Sequence, residues 1–346
     1  MIRLNSAFQC PAAPLAGFIA VLLAFVLSLP AQAAVSTYTW TDVTGTTSVA
    51  GSWAGAISPN GIGLAGDILN FNNVLTAPRT VTLNGILTAG TLNIGDTTTT
   101  NAFTLAPAAG GNLIMDASSG SAAINKALGA NGNDLISTGL QFNDTLAITN
   151  ASTLGSLTFS GGLRSVSSDI TFNGAGAITV STAAIATGGN LIKNDTGTTT
   201  LSFANTYAGA TTINGGTLKL ITTAAALPGR SAVTVASGAT LDYSTTNTII
   251  GSLAGAGDVV NTGASAILQI GRNDTSTTFT GRFVPSTPAN MSITKIGVGT
   301  LTLAPTLAST YTGATTVSGG TLKLDFANTT LTSLMAATPL TLTGGG

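Results

Sequence analysis

Any carboxylate chemistry in this sequence falls to 12 aspartates, because glutamate is absent, and histidine is absent too. Carboxylate-driven polysaccharide cleavage needs two such groups within about 5–9.5 Å, or a carboxylate cluster with Ca²⁺ and an Arg or Lys base. Asp96, Asp116 and Asp134 are spaced closely enough to align if the chain winds in turns of similar length. Asp195-Thr196-Gly197 has the D-T-G form of an aspartyl dyad, which requires a second copy facing it. Gly129-Ala130-Asn131-Gly132-Asn133-Asp134-Leu135-Ile136 approximates one calcium-binding nonapeptide, without a tandem copy to complete an ion's oxygen shell. Gly61-Ile62-Gly63-Leu64-Ala65-Gly66 matches G-x-G-x-x-G, but Ser58-Pro59-Asn60 precedes it, where a dinucleotide site needs a strand. Tyr38, Trp40 and Trp53 could stack on sugar rings or plug the end of a stack. The Thr-x-Thr pairs 37/39, 80/82, 300/302 and 341/343 have the form of ice-binding arrays but recur irregularly. Turn, cap and strand are the favoured readings throughout. No catalytic, cofactor-binding or metal-ligating residue is assigned, and no cofactor is expected.

The composition says what must hold such residues. Hydrophobic residues make up 44% of the 346, charged residues 7% and aromatics 5%, with 43 glycines. Helical surfaces need Glu, Lys and Arg, and 11 basic residues cannot coat them. The hydrophobic content excludes disorder. A net charge of -1 supplies no basic stripe, so nucleic acid is not an expected partner. Thr, Val, Ile and Leu punctuated by Gly and Asn leave an all-β protein.

Residues 1–34 read as a cleaved secretory signal. Arg3 supplies the positive start, Leu15 to Leu29 an apolar run of about 15 residues, and Pro30 with Ala31-Gln32-Ala33 the cleavage site. The run is shorter than the roughly 20 residues a spanning helix needs. Cys10, the one cysteine, would leave with it, so no disulfide is expected in the mature chain.

Internal repetition decides the architecture. Lys193 to Leu220 and Lys295 to Leu324 share K-x-x-x-G-T-x-T-L, then T-Y-x-G-A-T-T, then G-G-T-L-K-L. Shorter echoes begin at Gly90, Gly155, Gly216, Ala239, Gly299 and Gly320, and their gaps fit a unit of about 21 residues. That length suits one coil of a β-solenoid and predicts about 14 coils over the mature chain of about 310 residues, with residues 35–75 as an N-terminal cap or entry segment and residues 76–346 as the solenoid. Short strands such as 211–213 and 217–220 end at Gly or Asn. The Asn-Gly pairs at 84, 131, 173 and 214 suit turns with positive φ. Scarcity of charge follows from stacking. Like charges about 4.8 Å apart on adjacent coils repel by about 0.9 kcal/mol in water and about 3.5 kcal/mol at an effective dielectric of 20. Thr, Ser and Asn ladders avoid that cost and can hydrogen-bond along the stack.

The two long copies resemble the autotransporter-associated β-strand repeat, or passenger-associated transport repeat. Lys295 to Leu324 follows its pattern closely, and Lys193 to Leu220 departs at Asn194-Asp195-Thr196. The resemblance is strong over residues 190–346 and weaker before. It implies a right-handed parallel β-helix, a single-stranded β-solenoid, serving as the passenger of a bacterial surface or secreted protein. The implied role is structural or adhesive and non-enzymatic, with repeats that assist export across the outer membrane. The implied partners are outer-membrane translocation machinery or a C-terminal β-barrel missing from this chain, and surface glycans or other cells. The alternatives are a polysaccharide-acting β-helix lyase or hydrolase and a carbohydrate-binding module. The sequence stops at Gly344-Gly345-Gly346 partway through a repeat, which reads as truncation of a longer protein.

Overall fold

The computed structural model describes residues 35–41, 45–46, 53–54, 63–221, 226–244, 247–327 and 340–342. The expected export signal over 1–34 lies outside them. Alternation of apolar and polar residues sets the local structure. In Ile68–Phe71, Thr91–Ile94 and Ser156–Phe159 every second side chain is buried, as a strand with one wet face requires. Strands of two to five residues follow one another through tight turns, and the one short helical turn is Pro288–Asn290 among the described residues.

The chain visits three faces in turn. Thr91–Ile94 lies in a 14-stranded sheet, Phe103–Pro107 in an 11-stranded sheet and Asn112–Met115 in a five-stranded sheet; Ala122–Lys126 then returns to the first. We call these sheets A, B and C. Past residue 247 a second five-stranded sheet, D, follows A and B in the same rotation. Apart from one pairing at the N-terminal end, the described strands pair in parallel with those one coil away, for example Ile124 with Leu92 and Ile148. The all-β solenoid expected from the repeats is therefore the observed fold.

The described strands stack in about 11 turns, where about 14 were expected. Most register steps on sheet A span 20–24 residues, such as Leu191↔Thr211 and Ala147↔Thr171, but Thr37↔Ile68 and Thr91↔Ala123 are longer. A unit averaged from repeat-like segments underestimates those coils, whose turns carry extra residues.

Inward residues form columns. Leu69, Leu92, Ile124, Ile148 and Phe172 are successive register mates on sheet A, all at most 2% exposed. Burial of each such side chain contributes roughly 1.5–3 kcal/mol. Outward, Asn93 donates to Asn70 (2.8 Å) and Asn125 to Asn93 (3.2 Å); Asn194 donates to Asn173 (3.0 Å) and Asn214 to Asn194 (2.8 Å). These amide ladders bind coil to coil without charge. Of the four Asn-Gly pairs, Gly85 and Gly174 adopt positive φ. At Gly174 a Cβ would stand 2.0 Å from the Asn150 carbonyl oxygen, so a side chain is excluded there.

At the N-terminal end Thr37–Trp40 pairs antiparallel with Trp53–Ala54, the one reversed pairing among the described strands. It covers an edge that would otherwise template further pairing. Trp40 is buried with its ring 6.1 Å from Phe71, which meets Phe103 edge-on at 6.3 Å. The sheet A strand Ile68–Phe71 falls within the 35–75 segment expected as a cap. No helix among the described residues is long and apolar enough to cross a membrane.

Candidate functional site: the lysine corners of the repeats

Each long repeat opens with a lysine that ends a strand, Leu191–Lys193 in one and Met291–Lys295 in the other. Both side chains point inward at a corner and are 1% exposed. Lys193 Nζ donates to the carbonyls of Asn194, Asp195 (2.9 Å) and Gly215 (3.2 Å). Lys295 Nζ donates to those of Ile296 (2.6 Å), Gly297 (3.0 Å) and Gly319 (3.1 Å). Two acceptors come from the lysine's own turn and the third from the next coil, so one ammonium ties two coils together. The turn reaches this geometry through left-handed backbone at Asp195 (φ 54°) and Gly297 (φ 70°), and on the next coil at Gly216 (φ 59°) and Gly320 (φ 62°).

Burial pushes Lys193 down to about 8, with the charge of Asp195 opposing. Burial likewise pushes Lys295 down, opposed by Asp274. Three carbonyls require three N–H donors, which only the protonated amine supplies. At neutral pH both groups are therefore ammonium ions whose hydrogen bonds are fully used.

The repeat tyrosine completes the unit. Tyr207 is buried, and its hydroxyl shares a hydrogen bond with Thr211 Oγ1 (2.5 Å), which in turn meets Ser231 Oγ on the next coil (2.9 Å). Tyr311 and Thr315 repeat the contact at 2.8 Å. Burial raises both phenols, Tyr311 to about 12. The second lysine of each repeat points outward to an aspartate, Lys219 to Asp242 (3.4 Å) and Lys323 to Asp325 (3.0 Å). The two copies occupy different faces. In the first, the opening lysine is on sheet A and T-L-K-L on sheet B; in the second they are on sheets D and A. The corner travels with its sequence, not with a face.

A third corner was not singled out from the sequence. Lys126, buried at the end of Ala122–Lys126, donates to the Gly132 carbonyl (2.8 Å) and pairs with Asp134. Asp134 also accepts the Phe103 amide (2.7 Å). Burial raises its carboxyl while Lys126 opposes. A buried carboxylate here takes the place of a further carbonyl. The signal available was a strand-ending lysine followed within a few residues by a glycine turn, as in the repeats.

The remaining candidates scatter. Asp96 accepts the amides of Leu75 (2.7 Å), Thr98 (2.7 Å) and Thr99 (3.2 Å) and both threonine hydroxyls. Burial works to raise it, but these bonds, Thr99's foremost, prevail and lower it to about 2. Asp96 follows a strand of sheet A and Asp134 opens one of sheet B, close enough for the charge of Asp96 to raise Asp134. Asp116 instead follows a strand of sheet C and accepts Asn143 (2.6 Å). The three do not converge, because the long coil from Thr91 to Ala123 breaks the spacing. Asp195 is a turn residue that accepts the Gly174 amide (2.9 Å). Asp134, the carboxylate of the calcium-like nonapeptide, is committed to Lys126. Gly63 to Gly66 is a turn leading into a strand, and residues 61–62 lie outside the described ones. The Thr-x-Thr pairs fall on sheets A, B and D, and Thr343 lies outside the described residues.

The passenger-associated transport repeat matches the chain at residues 191–220 and 293–324, each beginning two residues before the limits read from the sequence. The chain is also 33% identical over 208 residues to the adhesin BmaC autotransporter of Brucella suis biovar 1 (strain 1330). That alignment takes in 56% of this chain and 6% of the relative, so the chain spans a small fraction of that protein's length. No solved structure matches the chain. The resemblance stated from the sequence is thus upheld: this is a protein with autotransporter-associated repeats, folded as a parallel β-solenoid.

Proposed function

We propose that the chain is a structural and adhesive segment of a surface-exposed autotransporter passenger, and that its repeats assist export across the outer membrane. The observation that carries this reading is the repeated corner. The motif's lysine, tyrosine and paired glycines are spent joining one coil to the next, which is mechanical work. Export with the aid of a C-terminal β-barrel or separate translocation machinery needs a chain that folds locally once outside. Each coil that stacks on its predecessor releases free energy without waiting for distant segments, and so opposes backsliding. An elongated, low-charge surface outside the cell then serves adhesion. The expected signal at 1–34 supplies the first export step.

The test is to display the chain on a bacterium with an outer membrane, fused to an unrelated autotransporter barrel. We expect protease-accessible protein at the surface and increased adherence to host cells or to neighbouring bacteria. A surface-exposed chain with no gain in adherence contradicts the adhesive role. Proline inserted into successive coils should slow surface exposure, and unchanged export rates contradict the role in translocation.

A further inference from the structure

Seven of the ten described Lys and Arg residues are neutralised or committed. Lys126, Lys193 and Lys295 are buried in corners. Lys219, Arg282 and Lys323 pair with aspartates, and Arg79 donates to Thr76 and Ala77. Among the described residues Arg164, Arg230 and Arg272 have no carboxylate within 4 Å. Arg230 and Arg272, 42 positions apart in sequence, line the same groove of about 510 Å³ with Pro228, Gly229, Asn247 and Ile249.

Three successive coils build this groove. The Gly251 amide donates to the Ser231 carbonyl, and the Arg272 amide to the Ile250 carbonyl, which stacks residues 228–230, 247–249 and 272 in order. Arg272 lies over Gly229: a Cβ there would be 3.4 Å from Arg272 Cδ, 3.5 Å from its Nη1 and 3.7 Å from Ile249 Cγ2. The Arg272 side chain thus runs alongside Gly229, the residue next to Arg230. Two like charges sharing a site repel, in a chain whose stacking otherwise avoids such pairs. An anion between them reverses the sign of that interaction, and guanidinium matches carboxylate and sulfate with paired hydrogen bonds. Pro228 and Ile249 add apolar wall for the C–H face of a sugar ring, and Asn247 an amide for its hydroxyls. The groove lies in the size range of ligand sites.

We infer that this groove binds an anionic saccharide, a uronate or sulfated sugar unit of a polymer, through Arg230 and Arg272. The inference rests on the adhesive reading and gives it a ligand class.

The experiment measures binding of the purified full chain to immobilised polygalacturonate, dextran sulfate and neutral dextran at about 150 mM salt. Anionic vesicles and duplex DNA are run in parallel. We expect binding to at least one anionic polysaccharide and none to neutral dextran. Arg230→Gln with Arg272→Gln should weaken it roughly tenfold or more, since both charge-assisted contacts are lost. Arg164→Gln removes the same charge outside the groove and should leave binding intact. Thermal unfolding checks that each variant is folded. Binding unchanged in the double variant, equally weakened by Arg164→Gln, absent from both anionic polysaccharides, or as tight to vesicles or DNA overturns the site. Adherence of displaying bacteria separates the two readings. If wild type and double variant adhere equally, adhesion stands and the groove falls. If neither adheres while the purified chain binds polysaccharide, the groove stands and adhesion falls.

Discussion

Lys193 and Lys295 hold the repeat's chemistry, and their energetics are those of a buried charge. Replacing either with methionine keeps the volume but leaves three carbonyls without a donor. Unsatisfied buried groups cost roughly 1–3 kcal/mol each before relaxation and water entry, so we expect a loss of about 3 kcal/mol. Lys323→Met removes an exposed pair and should change stability by less than about 1 kcal/mol. Urea unfolding with hydrogen exchange on the flanking strands checks both. Tyr207→Phe should cost about 1 kcal/mol for its hydrogen bond to Thr211. Asp96 gives a pH test. Its folded value near 2 lies below the ordinary 3.8, so its contribution is present above 3.8 and is lost as pH falls through 2. The contribution is about 2 kcal/mol, from roughly two pKa units. Acid titration of stability should therefore be shallower between pH 4 and 2 in Asp96→Asn than in the wild type. The sequence displayed the repeat's lysines and tyrosines as a pattern, but not their burial, because a lysine is read by default as a surface group. Lys126 with Asp134 escaped for the same reason. Arg230 and Arg272 escaped because only the stacking of three coils brings them together.

Strands and turns were far more legible. The short strands at 211–213 and 217–220 and the apolar alternation sit where the sequence places them, and two of the four Asn-Gly pairs take the expected positive φ. Local pattern determines them, and every coil repeats the same decision. Coil length was less legible. Turns tolerate extra residues at little entropic cost, so the step from Thr91 to Ala123 leaves no mark on the strand pattern. Register makes a prediction at this scale. Deleting residues 146–169 joins Thr145 to Ile170, the register mate of Leu146, and removes one whole coil. We expect that variant to fold with strand content reduced in proportion. Deleting residues 146–157 instead brings the wrong faces inward and should abolish cooperative unfolding. Circular dichroism and thermal unfolding distinguish the two.

The described residues form a stack whose interactions run mainly between neighbouring coils, and this architecture underlies both the export reading and the surface that carries the arginine groove. Spin labels test it most directly. On sheet A, nine register steps separate Thr91 from Thr302 and four separate Thr212 from Thr302. With Cys10 changed to serine and cysteines placed at these sites, pulsed electron resonance should give about 43 Å for the long pair and about 19 Å for the short one, at about 4.8 Å per coil. The ratio of the two distances should follow the number of coils. A long pair at or below about 25 Å, as in a sandwich of two antiparallel sheets, would contradict the stack and the mechanical function drawn from it.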